Sequence, residues 1–382
     1  MGKSDNKNIE KKSNEESYEN KNKVPVTDKP GKLTQEEMDE IDNSSQSKVM
    51  LIASLAKKLG LGLGSDLSQV EYPSAFIAPY STLNFFTTNF SNNFNILLRA
   101  NKIENEIDRL LEVFKYSTTV HIIPEDCMKV PLNAVVGETQ CSNFHTQDLN
   151  DPNNIIKDNY YISEQVSEVP PNVATCVYNK KEGVKALFNH ESKIVFQITN
   201  VKSPTTGKKC VRFEKLNEEY DIEFPVLHSR FMRGFVEYCG EGHVKSNKSK
   251  PYITTNFLAK PLIGGHYNSY EAKVYNGVDS KPIFKINGQW DGDSKITDCK
   301  TNETKPFFKK GSNVSNYTPD ILNTDSTNVW KSIIQSVAEG KSINLAREKS
   351  KIIDYQKTLD WKPSQFFLND QIGAWEPNLF QE

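Results

Sequence analysis

Between about residue 130 and residue 300 the apolar residues recur at every second position, a period that only extended chain can use. Ile194, Phe196 and Ile198 alternate with Val195, Gln197 and Thr199, and Tyr220, Ile222 and Phe224 alternate with Asp221 and Glu223. Successive side chains of a strand point to opposite faces, so this pattern buries one face of a sheet. The pairs Asn276-Gly277 and Asn287-Gly288 offer the left-handed backbone that tight hairpin turns demand. So long an antiparallel meander favours a barrel or a sandwich, and a large barrel can hold a ligand.

Helical spacing flanks this stretch. From Ser47, a suitable N-cap, to Leu59 the residues Leu51, Ile52, Leu55 and Leu59 share one face, with Met50 out of step. Gly60, Gly62 and Gly64 then end the helix and permit movement. Such a helix either packs on a core or serves as a lid with an apolar underside. Residues 96–120 carry Ile103, Ile107, Leu110, Leu111 and Phe114 at helical spacing. Val329, Ile333, Ile334 and Val337 predict one C-terminal helix, and the charged run Leu345 to Leu359 a second. Trp361, Pro363, Phe366, Phe367 and Trp375 predict a tail that packs back on the body. Residues 1–46 are rich in Lys, Asn, Glu and Ser. They bury too little to offset ordering entropy, which predicts a disordered tail before a domain at 47–382.

Composition removes several functions. The 47 basic and 49 acidic residues nearly cancel, so no global field attracts nucleic acid. The 20 Phe and 15 Tyr suffice for a large core or an apolar cavity. Cys127, Cys141, Cys176, Cys210, Cys239 and Cys299 are scattered without a CxxC, which predicts free thiols in a reducing compartment. The polar N-terminus is no signal peptide, and the apolar stretch 49–63, interrupted by Lys57 and Lys58, is too short to span a bilayer. A cytoplasmic location is therefore expected. His121, His145, His190, His228, His243 and His266 stand apart, with no HxH or HExxH, no GxSxG, no P-loop and no GxGxxG. Gly137-Glu138-Thr139 is too little to specify a phosphate loop, and Asp291-Gly292-Asp293 reads as a turn rather than a calcium loop. No catalytic residue, metal site or cofactor is expected.

Residues 161–171 read Tyr-Ile-Ser-Glu-Gln-Val-Ser-Glu-Val-Pro-Pro, and the last eight match EQVSHHPP at six positions. That motif is the signature of the oxysterol-binding protein family, which the chain resembles elsewhere too. Pro131-Leu132-Asn133-Ala134-Val135-Val136-Gly137-Glu138 is similar to the family's PLNPxLGE, and Gly288-Gln289-Trp290-Asp291 to its GxWD. Asp66-Leu67-Ser68 and Pro73-Ser74-Ala75-Phe76-Ile77 resemble its N-terminal part. Trp330, Ala346, Lys349 and Gln356 fall on its C-terminal helical pattern. The resemblance implies a mainly β fold: a large, near-closed antiparallel β-barrel with a lipid tunnel, an N-terminal lid helix and C-terminal helices. It makes Leu51, Ile52, Leu55 and Leu59 lid residues. It implies a monomer that binds a sterol or phospholipid, touches membrane surfaces transiently and transfers lipid between intracellular membranes. A sensor that recruits partners without net transport is the alternative.

The departures from the family concern the headgroup. Its members hold the phosphate of phosphatidylinositol 4-phosphate with two signature histidines, which here are Glu168 and Val169. Its C-terminal Lys, Glu and Arg, four residues apart, are here Lys349, Ile353 and Lys357. Its lysine before the PLN segment is Val130, with Lys129 one residue earlier, while Asn133 is kept. The headgroup candidates are thus Lys129, Asn133, Glu168, Val169, Lys349 and Lys357. A carboxylate beside a phosphate is costly once water is excluded, which predicts weakened or lost binding of that phosphoinositide. Otherwise Glu168 points away, or pairs with Lys349 or Lys357.

Overall fold

The computed structural model describes residues 30–378 except 69, 122–125, 152, 278–280, 310–315, 321–323, 340–344 and 360–361. Ordered chain begins ahead of Ser47, because residues 30–46, expected to belong to the tail, carry helix α1 (Gln35–Asp42). Thr34 and Glu37 form a capping box there, and Met38 and Ile41 are buried, so local capping and a small apolar face together order it. The Asp42 carboxylate accepts hydrogen bonds from Ser74 N (3.2 Å), Ser74 Oγ (2.7 Å) and Ala75 N (2.8 Å), which docks α1 onto the body.

Helix α2 (Lys48–Lys58) follows with Ser47 as its N-cap and Leu59 as its C-cap. Gly60 then takes φ +64°, where a side chain would be strained. Helix α3 (Thr82–Asn92) had no counterpart in the sequence reading; a capping box of Ser81 and Asn84 starts it. The single helix expected over 96–120 is two, α4 (Phe94–Ala100) and α5 (Glu106–Thr119). The break has a local cause: Asn105 Oδ1 accepts from the backbone N–H of Ile107 (2.9 Å) and Asp108 (3.0 Å) and so begins a new helix.

Among the described residues the alternating stretch and the segment that follows it form one sheet of 17 strands, preceded by a short parallel pair, β1 (Ile77–Ser81) and β2 (Val130–Leu132). The large sheet begins with β3 (Thr139–Gln147), β4 (Ile155–Glu168), β5 (Pro171–Asn179) and β6 (Val184–Ser192). The short strands β7 (Val195–Phe196), β8 (Val201–Ser203) and β9 (Thr205–Thr206) lead to β10 (Lys209–Phe213), β11 (Glu218–Glu223) and β12 (Val226–Arg230). A meander completes it: β13 (Phe235–Ser246), β14 (Pro251–Phe257), β15 (Ser269–Asn276), β16 (Phe284–Gln289), β17 (Ser294–Asp298) and β18 (Thr304–Phe308). Strand β19 (Asn316–Asp320) pairs back onto β3. Antiparallel registers connect β3 through β6, β10, β11 and β13 to β18. No register among the described residues joins β18 to β19, so the sheet is not closed by hydrogen bonds.

Three local expectations need correction. Only Val195 and Phe196 of the 194–199 run pair as strand, because Ile198 turns at φ +64°. Asn287-Gly288 lies inside β16 rather than in a turn; a Cβ on Gly288 would stand 2.3 Å from Ser294 Cβ, so this glycine permits close strand contact. The turn itself is made by Trp290–Asp293, which includes Asp291-Gly292-Asp293. Gly277 does take φ +72°, yet β16 starts only at Phe284, so that hairpin loop is longer than two residues.

Two buried carboxylates bind the C-terminal region to the sheet. Glu138 accepts from Val135 N (3.0 Å), Trp330 Nε1 (2.8 Å) and the Ser326 hydroxyl. It thereby holds α6 (Ser326–Val329) and α7 (Lys331–Ala338), so the Gly137-Glu138-Thr139 segment is an anchor for helices. Helix α8 (Leu345–Thr358) is attached by a hydrogen bond from Gln356 Nε2 to Val136 O. Glu164, within the signature segment, accepts from the backbone N–H of Ser364 (2.8 Å), Gln365 (2.9 Å) and Phe366 (3.1 Å). These seat the closing hairpin β20 (Phe366–Asn369) and β21 (Ala374–Pro377), whose Phe366 and Trp375 pack on the sheet as expected; Trp361 lies outside the described residues. None of the six cysteines forms a disulfide.

Candidate functional site

A cavity of about 340 Å³ is lined by residues of α2, α3 and the sheet. Its deep wall is aromatic: Phe85, Phe86 and Phe90 from α3 face Val173 and His190 from β5 and β6, with Phe224 and Tyr238 beside them. The Phe86 and His190 rings stack at 5.1 Å, and Phe90 meets Phe188 at 4.4 Å. From the outside α2 closes this space, and Ile52, Leu55 and Leu59 line it. Leu51 does not line it but is buried with Leu55 and Leu59 against Phe196 and Phe231. Pockets of this size with mostly apolar walls and few polar groups suit an apolar small molecule.

Three charged side chains, Lys129, Glu168 and Lys349, are among the residues lining the cavity. Lys129, Asn133, Gln165, Glu168 and Lys349 all line the cavity, although they come from three separate parts of the chain. Val169 does not join them; it is 78% exposed, just beyond the end of β4. Lys357 is also exposed and outside the cavity, two turns along α8 from Lys349, while Ile353 between them packs with Ile77, Leu132 and Trp330. Glu168 is exposed and is among the residues that line the cavity. Burial pulls the Lys349 ammonium below the usual lysine range, while the charges of Glu168, Glu71 and Glu138 push it back up. Of those three carboxylates only Glu168 lines the cavity with Lys349.

The histidines that seemed isolated in the sequence also matter here. His121 and His190 both line the cavity, buried among rings, with His121 stacked 4.6 Å from Tyr238 and edge-on to Phe257 and Trp290. Burial lowers His121 to about 3 and His190 well below its ordinary value, so both are neutral at pH 7. The sign for stability follows directly. The unfolded chain takes up a proton on His121 below about pH 6.5, which the folded chain refuses, so stability is full above that pH and falls as the solution is acidified toward 3. At about 1.4 kcal/mol per pH unit, His121→Phe should lose about 2 kcal/mol less stability than the parent between pH 7 and pH 5. Urea unfolding at both pH values measures this; equal losses would mean that His121 is protonated in the fold.

Sequence reasoning missed α3 and these two histidines. The pair Phe86 and Phe90, four residues apart after the Ser81–Asn84 capping box, was the available sign of the helix. Nothing local marks His121 or His190, which come to line one cavity only through the tertiary fold.

The family model described as oxysterol-binding protein matches residues 54–353. This chain belongs to the oxysterol-binding protein family. It is similar to oxysterol-binding protein 3 of Dictyostelium discoideum, 74% identical over 382 residues and covering 100% of both chains. Oxysterol-binding protein 1 of the same organism is 38% identical over 392 residues, covering 98% of each. Solved structures share the fold at low identity. The Osh3 ORD of Saccharomyces cerevisiae, in complex with PI(4)P, aligns with a TM-score of 0.63 at 16% identity, covering 93% of each chain. The Osh1 ORD domain in complex with cholesterol also aligns at 0.63 and 16%, covering 95% of this chain and 91% of that one. Among the described residues no helix is long and apolar enough to cross a membrane.

Proposed function

We propose that this oxysterol-binding family member encloses one sterol-like lipid in its cavity, carries it between intracellular membranes from the cytoplasmic side, and binds phosphatidylinositol 4-phosphate weakly or not at all. One observation carries the proposal: an aromatic cavity closed by the leucines of α2, with Glu168 among the residues that line it. The cholesterol complex of the Osh1 ORD domain, which has the same fold, supports a sterol as cargo. A sterol exposes several hundred Å² of apolar surface, so at about 25 cal/mol per Å² its removal from water is favourable by several kcal/mol. A bilayer offers a similar environment, so exchange between protein and membrane is near balanced and carriage is reversible. On this reading α2 is the lid, and it shields the part of the lipid that the sheet leaves uncovered.

The charged residues of the lining set the choice of lipid. Lys129 and Lys349 offer two cations, but the charges of Glu168 and Glu71 act against Lys349, and neither lysine gives the bidentate grip of an arginine. A phosphorylated inositol seated there would bring its charge against the Glu168 carboxylate, a repulsion that solvent at this exposed position screens only in part. The full-length chain should therefore move a fluorescent sterol between vesicles at catalytic protein concentrations and fail to extract phosphatidylinositol 4-phosphate. Equal transfer of both lipids would mean that Glu168 does not oppose the phosphate. Transfer of neither would refute the carrier reading.

A further inference from the structure

Two loops at the α2 end of the cavity present large aliphatic side chains to solvent. Between β14 and β15, Leu262 is 87% exposed and Ile263 is 93% exposed, values close to those of a free chain. Between β12 and β13, Met232 is 53% exposed. The loops are clipped together, since the Arg233 guanidinium donates to Lys260 O (3.0 Å) and Pro261 O (3.0 Å). Arg233 also lies 4.8 Å from the Phe235 ring, whose edge meets Tyr267 at 5.1 Å, while Lys260 sits 5.1 Å over Tyr267 and donates to Gly264 O. Leu262 and Ile263 are thus held outward on a braced loop.

This patch adjoins the lid. Phe231, next to Met232, lines the cavity and packs with Leu55 and Leu59 of α2. Its ring stacks on Phe196, whose carbonyl accepts from Gly64 N (2.9 Å); beside these, Leu63 and Ile198 are each 61% exposed. The charge is one-sided. Residues 226–236 and 258–268 contain Arg230, Arg233 and Lys260 and no Asp or Glu. Arg230 is paired with Glu237 (2.6 Å), which leaves Arg233 and Lys260 as the cations nearest the exposed aliphatics. The Glu237 carboxylate that accepts from Lys260 N (2.7 Å) is buried and paired with Arg230, so two neighbouring aliphatic side chains, braced by rings and with Arg233 and Lys260 as the charges on their own loops, match the chemistry of a bilayer interface bearing anionic headgroups.

We propose that the 258–268 loop, with Met232 beside it, is the surface by which this protein docks on an anionic membrane, inserting Leu262 and Ile263 and bringing the α2 end of the cavity to the bilayer. The inference rests on the carrier reading for its purpose but not for its test. Residues 261–267 are exposed, so Leu262→Glu with Ile263→Glu should leave the unfolding midpoint and the amount of sterol held in solution unchanged. Sedimentation of the full chain with vesicles of phosphatidylcholine and 20–30% phosphatidylserine should then fall roughly tenfold or more, and vesicle-to-vesicle sterol transfer should slow with it. Ile263→Trp should show a blue-shifted emission that brominated acyl chains quench. Parent-like vesicle binding by the double variant overturns the proposal, as does an unquenched Trp, which would place the loop against a protein rather than in lipid. If the parent binds vesicles through this loop yet holds no sterol, the docking surface stands and the carrier reading falls.

Discussion

Leu55→Asp should release bound sterol at least tenfold faster than the parent and slow its transfer, while shifting global unfolding by no more than about 2 kcal/mol. Leu55 is 6% exposed, lines the cavity and packs on Phe196 and Phe231. A carboxylate cannot stay ionised in that apolar setting without a cost of several kcal/mol, so the closed position of α2 loses out. The helix can leave without tearing the body: its outer links are the ion pairs of Lys48 with Asp126 and of Lys58 with Glu37 (3.2 Å) and Glu40 (3.2 Å), and Gly60 follows it. Part-exposed pairs of this kind hold little free energy. The main core, built from Phe90, Phe114, Phe188, Tyr220 and Trp290 among others, contains no residue of α2. Sterol dissociation and urea unfolding, measured on the same preparation, separate the two effects. Unchanged release would show that α2 is a fixed wall and not a lid.

Glu138→Ala should be the more damaging change to the fold, at about 3–5 kcal/mol. Glu138 is fully buried, and burial pushes its carboxyl above the usual range despite the donors from Ser326, Val135 and Trp330. Alanine leaves the indole N–H of the wholly buried Trp330 and the N–H of Val135 without an acceptor and opens a void beside them. Because Ser326 and Trp330 flank α6 and begin α7, those helices should become sensitive to protease before the sheet unfolds. Glu138→Gln should cost less, since it keeps one acceptor oxygen and the volume. An alanine variant as stable as the parent would remove Glu138 from its anchoring role.

The two carboxylates of the signature-like segments show how far local pattern could go. Glu138 and Glu164 were legible as parts of family-like motifs, yet their work is to accept hydrogen bonds from residues 326, 330 and 364–366. That role has no trace within a few residues of either. The same holds along α8. Lys349, Ile353 and Lys357 look equivalent in spacing, but Lys349 faces the cavity, Ile353 packs inward and Lys357 meets solvent. A four-residue step turns a helix by slightly more than one revolution, so two steps carry Lys357 along the axis and past the cavity rather than into it.

What the sequence determined by itself was the kind of element in each stretch and the family to which the chain belongs. Period-two alternation and helical spacing are imposed by backbone geometry over a few residues, and the signature segment survives as contiguous letters. Tertiary structure decided where the sheet stops short of hydrogen-bonded closure, which rings build the cavity and which charged groups share its lining. Those outcomes depend on segments such as 85–90, 121, 168 and 349 meeting across the fold, and burial, pairing and titration are properties of that meeting rather than of any residue alone.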